Sequence, residues 1–190
     1  MRRLTGSCTG NLILVNRTDL QITQATPEDA PELSTLAQQA YFDHFPYLWT
    51  DGGVQYATTT FAVDQIRREL TDTNVRCFIA RQNDQAIGYT QLRLRAPLNK
   101  TTGLELHRIY LLASAAGQGV GKQLVREAVR VADETRRPFV WLKVMQSSQA
   151  SIAFYQRMGF RPHAETTFEH PLLRPEYRKM LIMKRGASTP

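Results

Sequence analysis

The chain has 190 residues, 42% apolar and 22% charged, which suits one globular domain with a sizeable core. Basic residues outnumber acidic ones 24 to 17 for a net charge of +7, but they are scattered and lack aromatic interleaving; solvated helix faces and attraction for an anionic ligand account for them better than nucleic-acid binding. No run approaches a membrane span, and Cys8 and Cys77 lack metal-ligand spacing, so neither a membrane partner nor a metal is expected and a reducing cytoplasm is.

Residues 1–18 read as an N-terminal extension, in which Asn11 to Val15 offers an edge strand or a packing segment and is too short for a signal peptide. A single domain follows over 19–190. Leu20 to Gln24 alternates as a short strand. Thr26-Pro27-Glu28-Asp29 is a helix start, with a capping Thr, a Pro at the first position and acids in the first turn. That helix carries Leu33, Leu36, Ala37 and Ala40 on one face and is predicted to run to about Tyr41. Tyr41 to Trp49 is aromatic and poorly periodic, and reads as a loop ending in the turn residues Asp51-Gly52-Gly53. A second helix is predicted over about 62–70. Strands follow over 75–82 and 85–95, joined at Asn83-Asp84, the second with a kink or bulge at Gly88.

The stretch from Glu105 to Phe160 organises the rest. Leu106 to Leu112 is an apolar run of strand formers, and Gly117, Gly119 and Gly121 come directly after it. Val120, Leu124, Val125, Ala128, Val129 and Ala132 then recur at helical spacing. Strand, glycine turn, helix leaves the first helical amides unpaired, and with the helix dipole they form a ready anion site. The Walker pattern fails because Ala116 stands five before Gly121 and Gln123 follows Lys122. The dinucleotide fingerprint fails at Lys122 and Leu124. Phe139 to Met145 is a buried strand, Ser147-Ser148 an N-cap, Ala150 to Met158 a short helix, and Gly159 its left-handed close, with Phe160 packing back on Phe154 or Tyr155. A final hairpin over 161–168 and 177–184 completes the chain.

Ala116 to Gly121 and Ser151 to Phe160 resemble, in order and spacing, the two signatures of the GNAT superfamily of acyl-CoA-dependent N-acyltransferases, closest in look to bacterial polyamine and small-amine acetyltransferases. The likeness covers about residues 19 to 185. Two departures weaken individual contacts: Ala116 replaces an Arg or Gln, and Ser148 and Ser151 replace the usual Asn and Ala. The resemblance implies an α/β fold, a mixed, twisted, mostly antiparallel sheet flanked by about four helices, whose central strands (about 103–112 and 138–145) splay to admit acetyl-CoA. It also allows a homodimer.

Acyl transfer from a thioester to an amine needs a neutral amine, a polarised carbonyl, close approach and a protonated leaving thiolate. By strand alternation Glu105, His107, Ile109 and Leu111 are expected on one face. The resemblance points to Glu105 as base, and His107 has the right intrinsic pKa; the choice between them and a water stays open. Ile109 and Leu111 would offer backbone groups to the pantetheine arm, with a bulge and a polarising amide near Leu111. Gly117, Gln118, Gly119, Val120, Gly121 and Lys122 would cradle the pyrophosphate, Ser148 and Ser151 would support it, and Tyr155 would protonate the coenzyme sulfur. Tyr41, Asp43, His44 and Tyr47 are the candidates to line the side of the amine, a small molecule or peptide. The alternatives are an acyl-CoA-binding module without turnover and a nucleic-acid-binding protein.

Overall fold

A computed structural model describes residues 20–186; the N-terminal extension and Cys8 lie outside them. Seven strands form one sheet in the order β1-β2-β3-β4-β5-β7-β6: β1 (Leu20–Gln24), β2 (Val75–Gln82), β3 (Gln85–Leu98), β4 (Thr101–Leu111), β5 (Phe139–Met145), β6 (Arg161–Thr167) and β7 (Lys179–Gly186). All neighbours run antiparallel except β4 and β5. This is the mixed, mostly antiparallel α/β sheet expected. Helices α1 (Ala30–His44), α2 (Val54–Thr60) and α3 (Val63–Thr71) cover one face, and α4 (Val120–Glu134) and α5 (Gln149–Arg157) the other.

Strand alternation feeds both layers. Cys77 and Ile79 face α1–α3, while Phe78 and Ala80 face α4. The stripe foreseen on α4 is buried from Val120 through Ala132, and each of its Val and Leu side chains contributes roughly 1.5–3 kcal/mol on leaving water. The start of α1 is as expected: the Asp29 carboxylate accepts the Thr26 N–H at 2.7 Å, after which the first turn is tight and the α-helix follows. The close of α5 is also as expected. Gly159 sits at φ +86°, its N–H donates to the Gln156 carbonyl, and the Phe160 N–H donates to that of Tyr155, both at 3.0 Å. The Phe160 ring packs on Tyr155.

Two elements differ from the sequence reading. The stretch read as a loop from Tyr41 begins as the last turn of α1, which runs on to His44. A fifth helix among the described residues, α2, follows Gly53, where about four were expected. The Asp51 carboxylate accepts the N–H groups of Gly53 and Gln55 at 2.9 and 3.0 Å and so caps it. Thr58 and Thr59, poor helix formers, return their hydroxyls to the carbonyls of Val54 and Gln55. The bulge foreseen at Gly88 is present: Ala80 pairs with Gly88 and Arg81 with Ala86, leaving Ile87 unopposed.

The opening in the sheet has a local cause. β4 and β5 pair only at Leu104↔Val140 and Glu105↔Trp141. Gly103 makes that approach feasible, because a β-carbon there would lie 2.2 Å from the Phe139 ring. Two residues past the pairing, β4 carries a bulge. Gln91 pairs with Arg108 and Leu92 with Leu106, so His107 is the extra residue. A bulge bends and twists its strand, and from here β4 stays with β3 while β5 continues beside β7.

Candidate active site

The bulge at His107 corrects two expectations. It lies in mid-strand rather than near Leu111, and it inverts the alternation that follows. Leu104 and Leu106 pack toward α4, and so do Ile109 and Leu111. Glu105 faces the other layer, followed beyond the bulge by Arg108, bonded to Glu69 of α3, and Tyr110, against Tyr41 of α1. Glu105 therefore does not share a face with Ile109 and Leu111.

The splay opens a cleft of about 290 Å³ that passes between β4 and β5 and is lined from both layers. On the α4–α5 side its walls are Ile109, Ser148, Ser151 and Tyr155; on the α1–α2 side they include Tyr41, Phe45, Trp49, Tyr56 and Phe168. Glu105, His107 and Lys143 stand between. Ser148 holds the N-cap position of α5 without a side-chain capping bond. Tyr155 is buried, and burial alone holds its phenol protonated well above the usual range.

Glu105 is buried, 4% exposed, with a cation and an imidazole beside it. Arg93, its register partner on β3, reaches Oε2 at 3.4 Å, and His107 Nδ1 lies 3.5 Å from Oε1. Burial pushes the Glu105 carboxyl up, but the His107 hydrogen bond and the Arg93 and Lys143 cations outweigh it, and the net shift is downward. His107 is also shifted down, first by burial and then by Arg108 and Arg93 against the pull of Glu105. Its ring is thus neutral at neutral pH. Arg93 donates to Nε2 at 3.1 Å, which leaves the proton on Nδ1, toward Glu105.

The glycine turn lies at the end of β4. Gly117 and Gly119 adopt φ +76° and +85°, with nothing within 4 Å of where a β-carbon would stand, and Ala116 through Gly119 are exposed. The first helical bond of α4 runs from Gln123 N–H to Gly119, so the amides of Val120, Gly121 and Lys122 precede the helical ladder. Lys122 is exposed, Val120 and Gly121 are buried, and Gln118 folds its amide back to the Ser114 carbonyl at 2.7 Å. Gly121 sits beside Leu111, 3.4 Å from its Cδ1 to the β-carbon position.

The four residues anticipated on the amine side part company. Tyr41 lines the cleft, buried, with its hydroxyl accepting the Trp49 indole N–H at 2.5 Å. Asp43 and His44 do not line it. The Asp43 carboxylate accepts the Ala113 N–H at 3.0 Å and His44 Nε2 donates to the Leu111 carbonyl at 3.1 Å, so both pin the end of β4. Tyr47 is exposed and packs edge-on against Tyr177. The structure adds Arg93, Lys143, Tyr56 and Phe168. Arg93 is visible only once the β3–β4 register is known, and Tyr56 belongs to the helix that sequence reading missed.

Known proteins share this architecture. The chain is 24% identical over 155 residues to an uncharacterized N-acetyltransferase of Lactobacillus delbrueckii subsp. lactis, covering 80% of this chain and 90% of that protein. Among solved structures, the PaiA N-acetyltransferase of Thermoplasma acidophilum in complex with coenzyme A superposes with a TM-score of 0.72 at 17% identity, covering 88% and 99% of the two chains. A probable acetyltransferase of Staphylococcus epidermidis gives 0.71 at 15% identity, covering 90% and 100%. At these identities the solved structures speak for the fold. Residues 34–160, which hold the glycine turn, the splayed strands and α5, match the model of the acetyltransferase (GNAT) family, and the chain belongs to that family.

Proposed function

We propose that this protein transfers an acetyl group from acetyl-CoA to a primary amine of a small molecule or peptide, directly and without an acyl-enzyme. The observation that carries this reading is the cleft through the sheet, lined by Tyr155 and the Glu105–His107 pair and opening from the α4–α5 layer to the aromatic wall. The residues fit the coenzyme: Gly117 and Gly119 leave open space at the turn, the amides of Val120, Gly121 and Lys122 precede the helical ladder, and β4 past Glu105 has an edge that β5 does not pair. Gly117, Gln118, Gly119, Val120, Gly121 and Lys122 would hold its phosphates. Ile109 and Leu111 would pair with its arm, with Ser148 and Ser151 beside it. Bound there, it supplies an activated thioester.

The chain's own groups manage the protons. The Glu105 carboxylate orients the neutral His107 through Nδ1–H, and the pair takes the amine proton at Nε2 or through a water once Arg93 yields that nitrogen. Tyr155 keeps a proton on Oη for the leaving sulfur. Among the described residues a cysteine nucleophile finds no support: Cys77 is buried on the other side of the sheet from α4, and burial pushes its thiol up to about 12. A cytoplasmic setting is part of the proposal.

The test is release of free thiol from acetyl-CoA over a panel of amines. Tyr155→Phe should lower kcat by about 10²-fold or more while calorimetric affinity for acetyl-CoA stays within about twofold, a 0.4 kcal/mol change. Full activity in Tyr155→Phe would remove the phenol from the chemistry.

A further inference from the structure

The cleft is poor in negative charge. Glu105 is its one carboxylate, already met by Arg93 at 3.4 Å and flanked by Lys143. The two nearby acids that would welcome a polycation are committed elsewhere: Asp43 to the Ala113 amide, Asp51 to the amides of Gly53 and Gln55. Neither lines the cleft. A polyamine entering here would meet cations and one neutralised acid.

Lys143 is the unspent charge. It sits two residues past Trp141, which pairs with Glu105, and so projects on the same face as Glu105, away from α4 and the glycine turn. The sheet therefore separates it from the phosphate end of the cleft. It is exposed, its ammonium lies 5.6 Å from the Trp141 ring centre, and no carboxylate of the described residues comes within 4.0 Å of it. Beside it the wall formed by Phe45, Trp49, Tyr56 and Phe168 is aromatic. A ligand matching these surfaces carries an anion near its amine and an apolar body. The same cations disfavour an ammonium and so favour the neutral, nucleophilic amine.

Resting on the acyl-transfer reading, we infer that the acceptor is an amino-acid-like amine, with a carboxylate held by Lys143 and an apolar or aromatic side group against the wall. The N–C bond forms at its amine, the C–S bond of the thioester breaks, and one proton goes from nitrogen to the Glu105–His107 pair while one goes from Tyr155 to sulfur.

Matched acceptors differing only in the carboxylate test this: phenylalanine against phenethylamine, tyrosine against tyramine, with spermidine as the polycation, each followed by thiol release. The carboxylated member should have a kcat/KM higher by about tenfold, chiefly through KM, and the ratio should shrink in high salt. Lys143→Met should bring the ratio to within about twofold, and Lys143→Arg should retain it. Equal use of both members, or spermidine as the best acceptor, overturns the inference and leaves the acetyltransferase reading standing. No thiol release from any amine, with acetyl-CoA binding intact by calorimetry, overturns the acetyltransferase reading and the inference with it.

Discussion

Arg108 and Glu69 show how a charge is kept beneath the cleft. Arg108 donates to Glu69 at 2.7 and 3.3 Å and to Gln91 at 2.7 Å, and its guanidinium lies 5.5 Å from the Phe61 ring centre. Both side chains are largely buried, at 10% and 18% exposure. Burial pushes the Glu69 carboxyl up, but Arg108, Gln65 and Gln91 outweigh it, and its folded pKa falls below the ordinary 4.5. A lowered carboxylate pKa means stability that is fully present above the ordinary value and lost as pH falls through the folded one. Removing one partner of a buried pair leaves the other uncompensated. Glu69→Gln should therefore cost on the order of 3 kcal/mol at neutral pH, and its deficit against the parent should narrow as the solution is acidified. Urea denaturation at neutral and acid pH checks this; a deficit independent of pH would mean the pair contributes no net charge stabilisation.

At the scale of elements, the end of β4 is where strand, bulge and turn meet. A β-carbon on Gly88 would lie 2.3 Å from Leu111 Cδ2 and 3.0 Å from the Tyr110 carbonyl oxygen, so β3 and β4 approach closely just where Asp43 and His44 pin the strand end. Gly88→Ala should destabilise by about 1–3 kcal/mol, lowering Tm by several degrees. Gly186→Ala, where nothing lies within 4 Å, should shift Tm little, and comparable losses in thermal melts of the two would contradict the packing account. Much here was legible in the sequence. The α4 stripe rests on local periodicity and the Gly159 close of α5 on a φ requirement, which a sequence carries, and the bulge at Gly88 on a glycine interrupting a strand pattern. The bulge at His107 was not legible, because register is a relation between strands and Leu106 to Leu111 alternates plausibly without it. That one extra residue moved Glu105 to the opposite face from Ile109 and Leu111.

At the scale of the molecule, one sheet separates two layers and is breached once, where β4 leaves β5. Among the described residues no helix is long and apolar enough to cross a membrane, and no cluster of three or more His, Cys, Asp or Glu side chains offers a metal site. The glycine turn and Tyr155 were legible because their signatures are contiguous. The amine side was legible only in part: Tyr41 lines the cleft, but the rest of the wall is drawn from the stretch between α1 and α2, from α2 and from the chain after β6, and Asp43 and His44 proved to be spent on the backbone at and just beyond the end of β4. The central claim is that the breach, together with the turn beyond it, receives the coenzyme. Hydrogen–deuterium exchange with and without coenzyme A measures this most directly. Slowed exchange over residues 106–111 and 117–123 and at the start of α5, with β1 and β2 unchanged, is the predicted result. No slowing at the glycine turn or along the end of β4, or protection confined to β1 and β2, would contradict it.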